Sequence, residues 1–322
     1  MAKISVIIPN YNGRQLLFKN LPNVIKNCAD CEIIIVDDAS GDDSVDFLQK
    51  NFRQIKVIQL AKNKGFAHAV NEGVRKANGD LVLLLNSDVS PQANFLPPAL
   101  SHFKNESASQ RIFAVGLADH SHENGKIVIR GRGGAIFKKG FVNHFALPSR
   151  SAETLWVSGG SGLFDKRKFL ELGGFDTNFA PFYWEDIDLS FRAWRMGYRC
   201  LFEPMSKVNH FHQEGVIQKS RSEFFIKTIS YKNQFLFVWK NITDPFWLLQ
   251  HLFWLPYHLA KSMATFDLAF FAGFFWAIIQ LPKLIFDYSL FTMHLDPQAQ
   301  TRTASSAYSL SDREVLNKFA KS

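Results

Sequence analysis

The sequence predicts an α/β protein with a doubly wound parallel sheet, followed by an aromatic-rich helical segment. Three observations indicate this: short apolar runs alternate with helical patterns, polar residues follow the runs, and the composition changes near residue 240. Strands buried on both faces of a parallel sheet read as continuous apolar runs, and helices connect them. The 322 residues suffice for one large domain with an appendage, or for two domains.

Four apolar runs bounded by turn residues predict four strands, at residues 4–8, 32–37, 56–60 and 81–86. The clearest helix covers 66–78, where apolar residues recur every three or four positions. Weaker helical patterns cover 14–27 and 43–51. Residues 112–165 contain short strand-like pieces with Gly-rich breaks, which predict mixed or antiparallel strands. Residues 185–197 predict a helix with an acidic first turn.

Each predicted strand is followed by a loop rich in Asn, Asp, Ser or Gly, at residues 10–13, 37–42, 63–65 and 86–88. Such residues also make ordinary turns, so one loop alone would indicate little. Ligands of parallel sheets collect beyond the carboxyl ends of the strands, where these loops meet. Because acids and amides prevail there, we expect a phosphate-bearing ligand together with a bridging cation.

The segment 241–295 differs from the rest by its aromatic content. Residues 245–260 and 268–282 are runs of 16 and 15 residues without a formal charge. As helices they would extend about 24 and 22 Å, short of the ~30 Å hydrocarbon core of a bilayer. Aromatic residues and Lys261 suit the membrane interface. We therefore expect helices that dock on a membrane through residues 245–291. A buried hairpin, a homo-oligomer interface and true membrane spans are the alternatives.

Composition narrows the class of partner and the compartment. The net charge of +8 and the isoelectric point near 9.3 suit an anionic partner. Because the chain lacks a Lys/Arg-dense run, zinc-finger spacing and an aromatic RNA-binding signature, we expect no nucleic acid partner. Cys28, Cys31 and Cys200 are too few for a disulfide framework, and Cys28 with Cys31 is a lone pair that does not indicate zinc. Met1 leads directly into an apolar strand, which predicts a cytoplasmic protein.

Five motifs occur in order along the chain, at residues 6–13, 36–44, 63–73, 84–89 and 173–189. Together they resemble family 2 glycosyltransferases of the GT-A (nucleotide-diphospho-sugar transferase) fold, most closely the rhamnosyltransferase-like branch. The resemblance covers about residues 3–240. It implies a doubly wound mixed sheet and the transfer, with inversion, of a hexose from a UDP- or dTDP-linked donor. The acceptor would be a hydroxyl of a glycan or polyprenyl-linked molecule in cell-surface polysaccharide synthesis.

The resemblance also implies a divalent cation, Mg²⁺ or Mn²⁺, held by Asp88 and His210, with His212 as the alternative histidine. A carboxylate at the end of an apolar strand suits a hard cation, which prefers oxygen ligands. The family's Asp-x-Asp motif here reads Asn86-Ser87-Asp88, so its first position is neutral. This predicts a weaker metal site that depends on the phosphates of the donor.

Inverting transfer needs a general base, and the resemblance assigns this role to Asp186, with Glu185 as an orienting or acceptor-binding partner. A base must reach the attacking hydroxyl, and burial at a helix start raises the pKa of a carboxyl. Acids in a first helical turn also stabilise a helix without any catalysis, and by that reading Glu185, Asp186 and Asp188 are interchangeable. We expect Asp188 to pair with Arg192 or Arg195 instead.

The resemblance assigns binding of the donor nucleotide to ten residues: Pro9, Tyr11, Asn12, Asp37, Asp38, Asn63, Gly65, Asn71, Asn86 and Ser87. In this assignment Pro9 and Tyr11 line the base and ribose, and Asp37 or Asp38 accepts a hydrogen bond from a pyrimidine ring. Gly65 allows close approach of the backbone. Residues 159–162 would form a wall of the sugar site.

Two other functions share parts of this pattern. A sugar nucleotidyltransferase should carry a cation-rich, Gly-rich loop after the first strand, yet residues 10–14 offer only Arg14. A non-catalytic sugar-nucleotide-binding protein should lack a base. We expect three segments: a catalytic domain at 1–240, the membrane-docking helices at 241–295, and a polar tail at 296–322. A capping box at Ser311 opens a short helix in the tail.

Overall fold

The computed structural model describes residues 2–104, 111–123, 125–211, 221–295 and 309–320. The strands in these ranges are β1 (Ile4–Asn10), β2 (Glu32–Asp37), β3 (Lys56–Gln59), β4 (Leu81–Leu85), β5 (Val89–Pro91), β6 (Ile112–Glu123), β7 (Lys126–Arg130), β8 (Gly133–Lys138), β9 (Phe141–Ala146), β10 (Ala152–Glu153), β11 (Ser161–Asp165) and β12 (Arg199–His210). The helices are α1 (Arg14–Asn27), α2 (Ser44–Asn51), α3 (Phe66–Lys76), α4 (Leu96–Lys104), α5 (Lys166–Glu171), α6 (Glu185–Arg195), α7 (Glu223–Asn241), α8 (Pro245–Ala264), α9 (Leu268–Leu295) and α10 (Asp312–Ala320).

A mixed sheet of ten strands forms the centre of the molecule, in the order β10-β12-β6-β11-β4-β1-β2-β3, with β5 beside β12 and β7 beside β6. Strands β3, β2, β1 and β4 are parallel, whereas β11 runs antiparallel to β4 and β6. The predicted mixture of parallel and antiparallel strands is therefore confirmed. The carboxyl ends of β1, β2 and β4 meet at one edge.

Alternation along β1 shows how the sheet separates two apolar layers. Val6 and Ile8 point to the layer under α1, α2 and α4, while Ile7 points to the layer under α3 and α6. This is the period of two expected of a strand with both faces covered. Helices α1, α2 and α3 confirm the helices predicted at residues 14–27, 43–51 and 66–78.

Helix α7 was not predicted from the sequence. Its polar Lys232 and Asn233 and its apolar Phe235 and Phe237 are all completely buried, so the helix presents no clear polar face. A helix enclosed on several sides loses the periodic pattern by which a surface helix is detected. Helix α7 packs against α6, β9 and α9.

Helix α8 rests on the β8–β9 hairpin, and α9 packs mainly against α7. Nδ1 of His251 lies 2.6 Å from the carbonyl oxygen of Gly140, and Nε2 of His258 lies 2.8 Å from that of Lys139. The Trp247 ring stacks on another aromatic side chain of β8 at a centroid distance of 4.7 Å. The two uncharged runs are thus helical, as predicted. No helix among the described residues combines the length and apolarity needed to cross a bilayer.

The predicted capping box is confirmed at α10. Ser311 donates its backbone N–H to Glu314 Oε2 at 2.8 Å, and Glu314 returns its own N–H to Ser311 Oγ at 3.1 Å. The carboxylate of Asp312 accepts the backbone N–H groups of Thr243 and Asp244, at 2.6 and 2.9 Å. The end of the described chain therefore packs against the start of α8.

Candidate active site

The loops after β1 and β2 are joined by a hydrogen-bond network around Asp37. Oδ2 of Asp37 accepts from the Asn10 amide at 2.9 Å, and Oδ1 accepts from the Ser40 backbone at 2.9 Å. Asn12 donates its backbone N–H to Ser40 Oγ, and its side chain accepts from the Gly41 backbone at 2.7 Å. Asp37 is completely buried. Asp37 and Asn12 therefore fix these loops against each other, while their contact with a nucleotide stays a prediction.

Asp38 holds the third polar loop to the same edge. Its two carboxylate oxygens accept the backbone N–H groups of Lys64 and Gly65, at 2.9 and 2.7 Å. The pKa of Asp38 is raised, because the effect of burial exceeds the opposing effect of these two hydrogen bonds. Gly65 has a φ of +91°, and a Cβ there would lie 3.1 Å from the carbonyl oxygen of Pro181. Only glycine combines this conformation with so close an approach.

Asn71 differs in role from the loop residues around it. Its amide donates to the carbonyl oxygen of Phe175 at 2.7 Å and accepts the Phe175 N–H at 2.9 Å. Both ends of this buried amide are thus bonded to the backbone of the loop before α6, and Asn71 positions that loop. Its predicted contact with the donor stays a prediction.

Pro9 and Tyr11 are half-buried at the edge, and Asn63 is exposed there.

A glycine pair connects the motif at residues 86–88, which is predicted to bind the metal, with the candidate base. Asn86 donates its backbone N–H to the Gly160 carbonyl at 3.0 Å, and Gly159 donates its own N–H to Asp186 Oδ2 at 3.3 Å. A Cβ on Gly160 would lie 2.5 Å from the Asn86 amide, so a side chain does not fit. The segment Asn86–Asp88, with Ser87 half-buried in its middle, and Asp186 therefore lie on either side of this glycine pair.

The strand pairing of β12 brings His210 between two carboxylates. His210 pairs with Val89 of β5, next to Asp88, and with Ser121 of β6, which shares a face with Asp119. Nε2 of His210 lies 3.3 Å from Asp88 Oδ1, and Nδ1 lies 2.5 Å from Asp119 Oδ2. All three side chains are buried. Burial alone would lower the pKa of His210, but hydrogen bonds to Asp119 and Asp88 raise it to about 9.

This cluster fits the requirements of a divalent cation. Two ligand atoms that each lie about 2.1 Å from a cation, with an angle of about 90° between the two bonds, are about 3 Å apart. This is close to the 3.3 Å between His210 Nε2 and Asp88 Oδ1. A metal-binding histidine usually donates its second ring N–H to a carboxylate, which is the position of Asp119. The described residues contain no ready-made set of three His, Cys, Asp or Glu ligands. A cation held here would therefore take further oxygen ligands from another molecule.

Asp186 and Glu185 are two buried carboxyl groups with different surroundings. Burial raises the pKa of Asp186 to about 6, while backbone N–H groups of Gly159 and Ile187 favour its ionised form. Burial and the charge of Asp186 raise the pKa of Glu185 to about 8. Glu185 Oε2 has no hydrogen-bond partner among the described residues. Burial therefore favours the neutral form more strongly at Glu185 than at Asp186.

The acids of the first turn of α6 are not interchangeable. Arg192 donates to Asp188 Oδ2 at 2.8 Å, which confirms the predicted pair, and Lys240 lies 2.9 Å from Asp188 Oδ1. Asp188 is thus neutralised by cations, whereas Asp186 accepts hydrogen bonds from the backbone N–H groups of Gly159 and Ile187. Asp188 therefore serves to stabilise the start of α6. Among the described residues Asp186 has no such ion pair, and it remains the candidate base.

The loop before α6 is held by two adjacent residues of α7. Asn233 donates its amide to three carbonyl oxygens, those of Phe179, Phe182 and Tyr183, at 2.7 to 2.9 Å. The Lys232 ammonium donates to the carbonyl oxygens of Asn178 and Ala180, at 3.2 and 2.7 Å. Tyr183 and Trp184 both have a positive φ, near 72° and 75°, which bulky residues adopt only when their surroundings impose it. Helix α7 therefore fixes the backbone that leads into the candidate base.

Sequence reasoning did not identify Asp119, Lys232 or Asn233. A signal existed only for Asp119, because it follows a predicted apolar strand in the same way as Asp88 does. Lys232 and Asn233 carry no local motif. His212, the alternative metal ligand, lies outside the described residues.

Comparison with known proteins supports the resemblance found in the sequence. Residues 5–148 match the family described as glycosyl transferase family 2, so the predicted resemblance is confirmed. N-acetylgalactosaminyltransferase 6 of Drosophila melanogaster is 25% identical over 234 residues, covering 66% of this chain and 34% of its own length. Poly-beta-1,6-N-acetyl-D-glucosamine synthase of Staphylococcus aureus is 25% identical over 213 residues, covering 63% and 48%. The chain spans only 34–40% of the length of the first curated relatives.

A solved structure shows the same fold. The crystal structure of GalNAc-T7 with UDP, GalNAc and Mn²⁺ superimposes with a TM-score of 0.61 at 19% sequence identity, covering 76% of this chain and 49% of that one. The GT-A fold predicted from the motifs is therefore confirmed. The rhamnosyltransferase-like branch stays a prediction.

Proposed function

We propose that this chain, which carries a domain of glycosyl transferase family 2, is an inverting, hexosyltransferase-type glycosyltransferase. It would transfer a sugar from a nucleoside diphosphate to a hydroxyl of a glycan or lipid-linked acceptor. The observation that carries this proposal is the placement of Asp186. This buried carboxylate is joined through Gly159 and Gly160 to Asn86, at the start of the metal-binding motif.

Asp186 would act as the general base of a single displacement. The acceptor oxygen forms a bond with the anomeric carbon, the bond from that carbon to the phosphate oxygen breaks, and the acceptor proton moves to the Asp186 carboxylate. With a pKa near 6, Asp186 is ionised at neutral pH and is a stronger base than an exposed aspartate. The neutral carboxyl of Glu185 is able to donate a hydrogen bond to the acceptor.

Asp88 and His210 would hold the Mg²⁺ or Mn²⁺ ion, with Asp119 orienting the imidazole of His210. When bound, the cation neutralises the charge that develops on the departing diphosphate. Support comes from the buried His210 between two carboxylates and from the Mn²⁺ in the GalNAc-T7 structure. Asn86 and Ser87, beside Asp88, would contact the diphosphate.

The nucleotide of the donor would bind at the carboxyl ends of β1 and β2. Pro9 and Tyr11 are accessible there, and Asn63 borders the same edge. Asp37, Asp38 and Gly65 would shape the pocket mainly by fixing its loops. A pyrimidine nucleotide, UDP or dTDP, is the proposed donor carrier, in line with the UDP in the GalNAc-T7 structure.

The acceptor would belong to a cell-surface polysaccharide. The similarity to a poly-N-acetylglucosamine synthase supports a polymeric glycan. The exposed apolar side chains of α8 and α9 support peripheral attachment to the inner face of the cell membrane, where a polyprenyl-linked acceptor would be found. In this proposal residues 1–240 catalyse and residues 241–295 dock.

Replacement of the base tests the proposal. Asp186→Asn keeps the size of the side chain but removes its basicity, so we expect turnover to fall about 100- to 10,000-fold. Binding of UDP-sugars and dTDP-sugars with Mn²⁺, followed by calorimetry, should persist. Asp46→Asn, at an exposed position on α2, is the matched control and should keep full activity.

The products distinguish the competing functions. Transfer releases a nucleoside diphosphate, whereas a nucleotidyltransferase would release pyrophosphate from a nucleoside triphosphate. Unchanged turnover of Asp186→Asn, or release of pyrophosphate, would overturn the proposed reaction.

A further inference from the structure

A basic cavity lies where the C-terminal helices meet the β8–β9 hairpin. It has a volume of about 280 Å³, near the lower limit of small-molecule sites, and α7, α8, α9 and the hairpin all contribute to its wall. Three lysines line it: Lys138 and Lys139 from the hairpin and Lys261 from the last turn of α8. The cavity is separate from the sheet edge that carries Asp88.

The charge of this cavity is positive and mostly uncompensated. Its one lining carboxylate, Asp267, accepts a hydrogen bond from the hydroxyl of Tyr231 at 2.7 Å. Among the described residues Lys138 and Lys261 form no ion pair. Lys139 lies over the rings of Trp254 and Tyr257. Three ammonium groups against one carboxylate favour an anionic ligand.

An apolar surface borders the cavity. Helices α8 and α9 and the turn between them expose large side chains on the outside of the molecule, each more than half accessible: Leu249, Phe253, Met263, Phe266, Phe275 and Ile279. Phe266 is 86% exposed in the turn between α8 and α9, directly between Thr265 and Asp267, which both line the cavity. Exposed apolar side chains beside basic residues are typical of segments that lie in a membrane interface.

We propose that the cavity lined by Lys138, Lys139 and Lys261 binds the phosphate of an anionic phospholipid while the surrounding apolar side chains enter the interface of the bilayer. The inference rests on the proposed docking of the chain at a membrane and adds its lipid preference. The lysines would supply the attraction to anionic headgroups, and Phe253 and Phe266 would supply apolar contact. Lysine stems reach along apolar surface and keep the ammonium at headgroup level.

Vesicle binding of the full-length protein, without nucleotide sugar, tests this site. We expect binding to vesicles of phosphatidylcholine mixed with phosphatidylglycerol to exceed binding to phosphatidylcholine alone. The triple variant Lys138→Ala, Lys139→Ala, Lys261→Ala should bind the mixed vesicles on the order of 100-fold more weakly, because each lysine near an anionic surface contributes about a fivefold effect. Phe266→Ser should weaken binding to both kinds of vesicle.

A matched control separates a site from general charge. Lys50→Ala, Lys76→Ala and Lys126→Ala remove three exposed lysines elsewhere and lower the net charge equally. An equal loss of binding in this control would overturn the proposal. So would calorimetric binding of inorganic phosphate that depends on the three lysines, in a protein that does not prefer anionic vesicles, because the cavity would then be a site for free phosphate.

Two further measurements complete the test. A stable dimer in analytical ultracentrifugation that is abolished by Phe266→Ser would assign the apolar surface to a second copy of the chain and overturn the membrane proposal. Transfer to a soluble acceptor should be unchanged in the lysine variant, since none of the three lysines belongs to the catalytic machinery. A wild-type protein that transfers sugar but binds both kinds of vesicle equally would refute this inference alone and leave the proposed reaction standing.

Discussion

The carboxyl edge of the sheet and helix α7 both build the candidate active site, but they do so in different ways. At the sheet edge, each polar residue follows its own strand, and its partners are other strand-end loops. Helix α7 contributes no reacting group; it holds the loop before Asp186 through side-chain donors to backbone carbonyl groups. The residues proposed to carry the chemistry thus have a local sequence signal, whereas the position of the candidate base depends on a helix that has no such signal.

Asn233 offers the strongest way to test the role of α7. In Asn233→Asp the side chain keeps its size but loses both N–H donors and turns a carboxylate toward three carbonyl oxygens. We expect the free energy of unfolding to fall by roughly 3 kcal/mol, because buried carbonyl groups lose their partners. Urea denaturation measures this change. Wild-type stability and wild-type turnover together would show that these hydrogen bonds do not hold the loop.

Asp119 tests the sheet edge in the same manner. Removing the carboxylate that orients a metal-binding histidine typically costs about 10- to 100-fold in metal affinity, so Asp119→Asn should weaken Mn²⁺ binding by that factor. Titration followed by electron paramagnetic resonance reports binding directly, without reference to turnover. Glu203→Gln is the matched control, because it removes a carboxylate 2.8 Å from another histidine, His102. Equal weakening in both variants would contradict the assignment.

The pH dependence of turnover gives a smaller effect at the base itself. Asp186 accepts a proton only when ionised, so kcat/KM at saturating Mn²⁺ should fall about tenfold per pH unit below a pKa near 6. Above about pH 8 Glu185 loses its proton, and a second change is expected there. In Glu185→Gln the alkaline change should disappear while the acid limb remains. An acid limb that is absent from the wild-type protein would speak against Asp186.

Much of the sheet edge was predictable because its signals are local. An apolar run predicts a strand, and Asp88 at the end of one is visible within a few residues of sequence. Asp119 and His210 are 91 positions apart, and Asn233 lies 54 positions from Phe179. Contacts of this separation depend on strand order and helix packing, which no short pattern encodes. The complete burial of Lys232 and Asn233 also runs against what their polarity suggests.

The loops that are predicted to bind the nucleotide show a second limit of prediction from sequence. The sequence predicts that these polar residues lie close together. In the structure, however, Asp37, Asp38 and Asn71 form hydrogen bonds with neighbouring backbone and side-chain groups. A pattern of polar residues indicates where a ligand site lies. It does not separate residues that touch the ligand from those that shape the loops, because both need the same chemical groups.

The packing of the last helices has a practical consequence for protein production. Trp247 of α8 and Phe319 of α10 belong to the same apolar core as the strands of the sheet, and Phe319 contacts the Trp194 ring of α6 at a centroid distance of 5.4 Å. Composition changes near residue 240, but the core continues across that point. A shortened gene ending there would leave Trp194 uncovered in the expressed product. Affinity tags are therefore better placed at the amino terminus, away from α10.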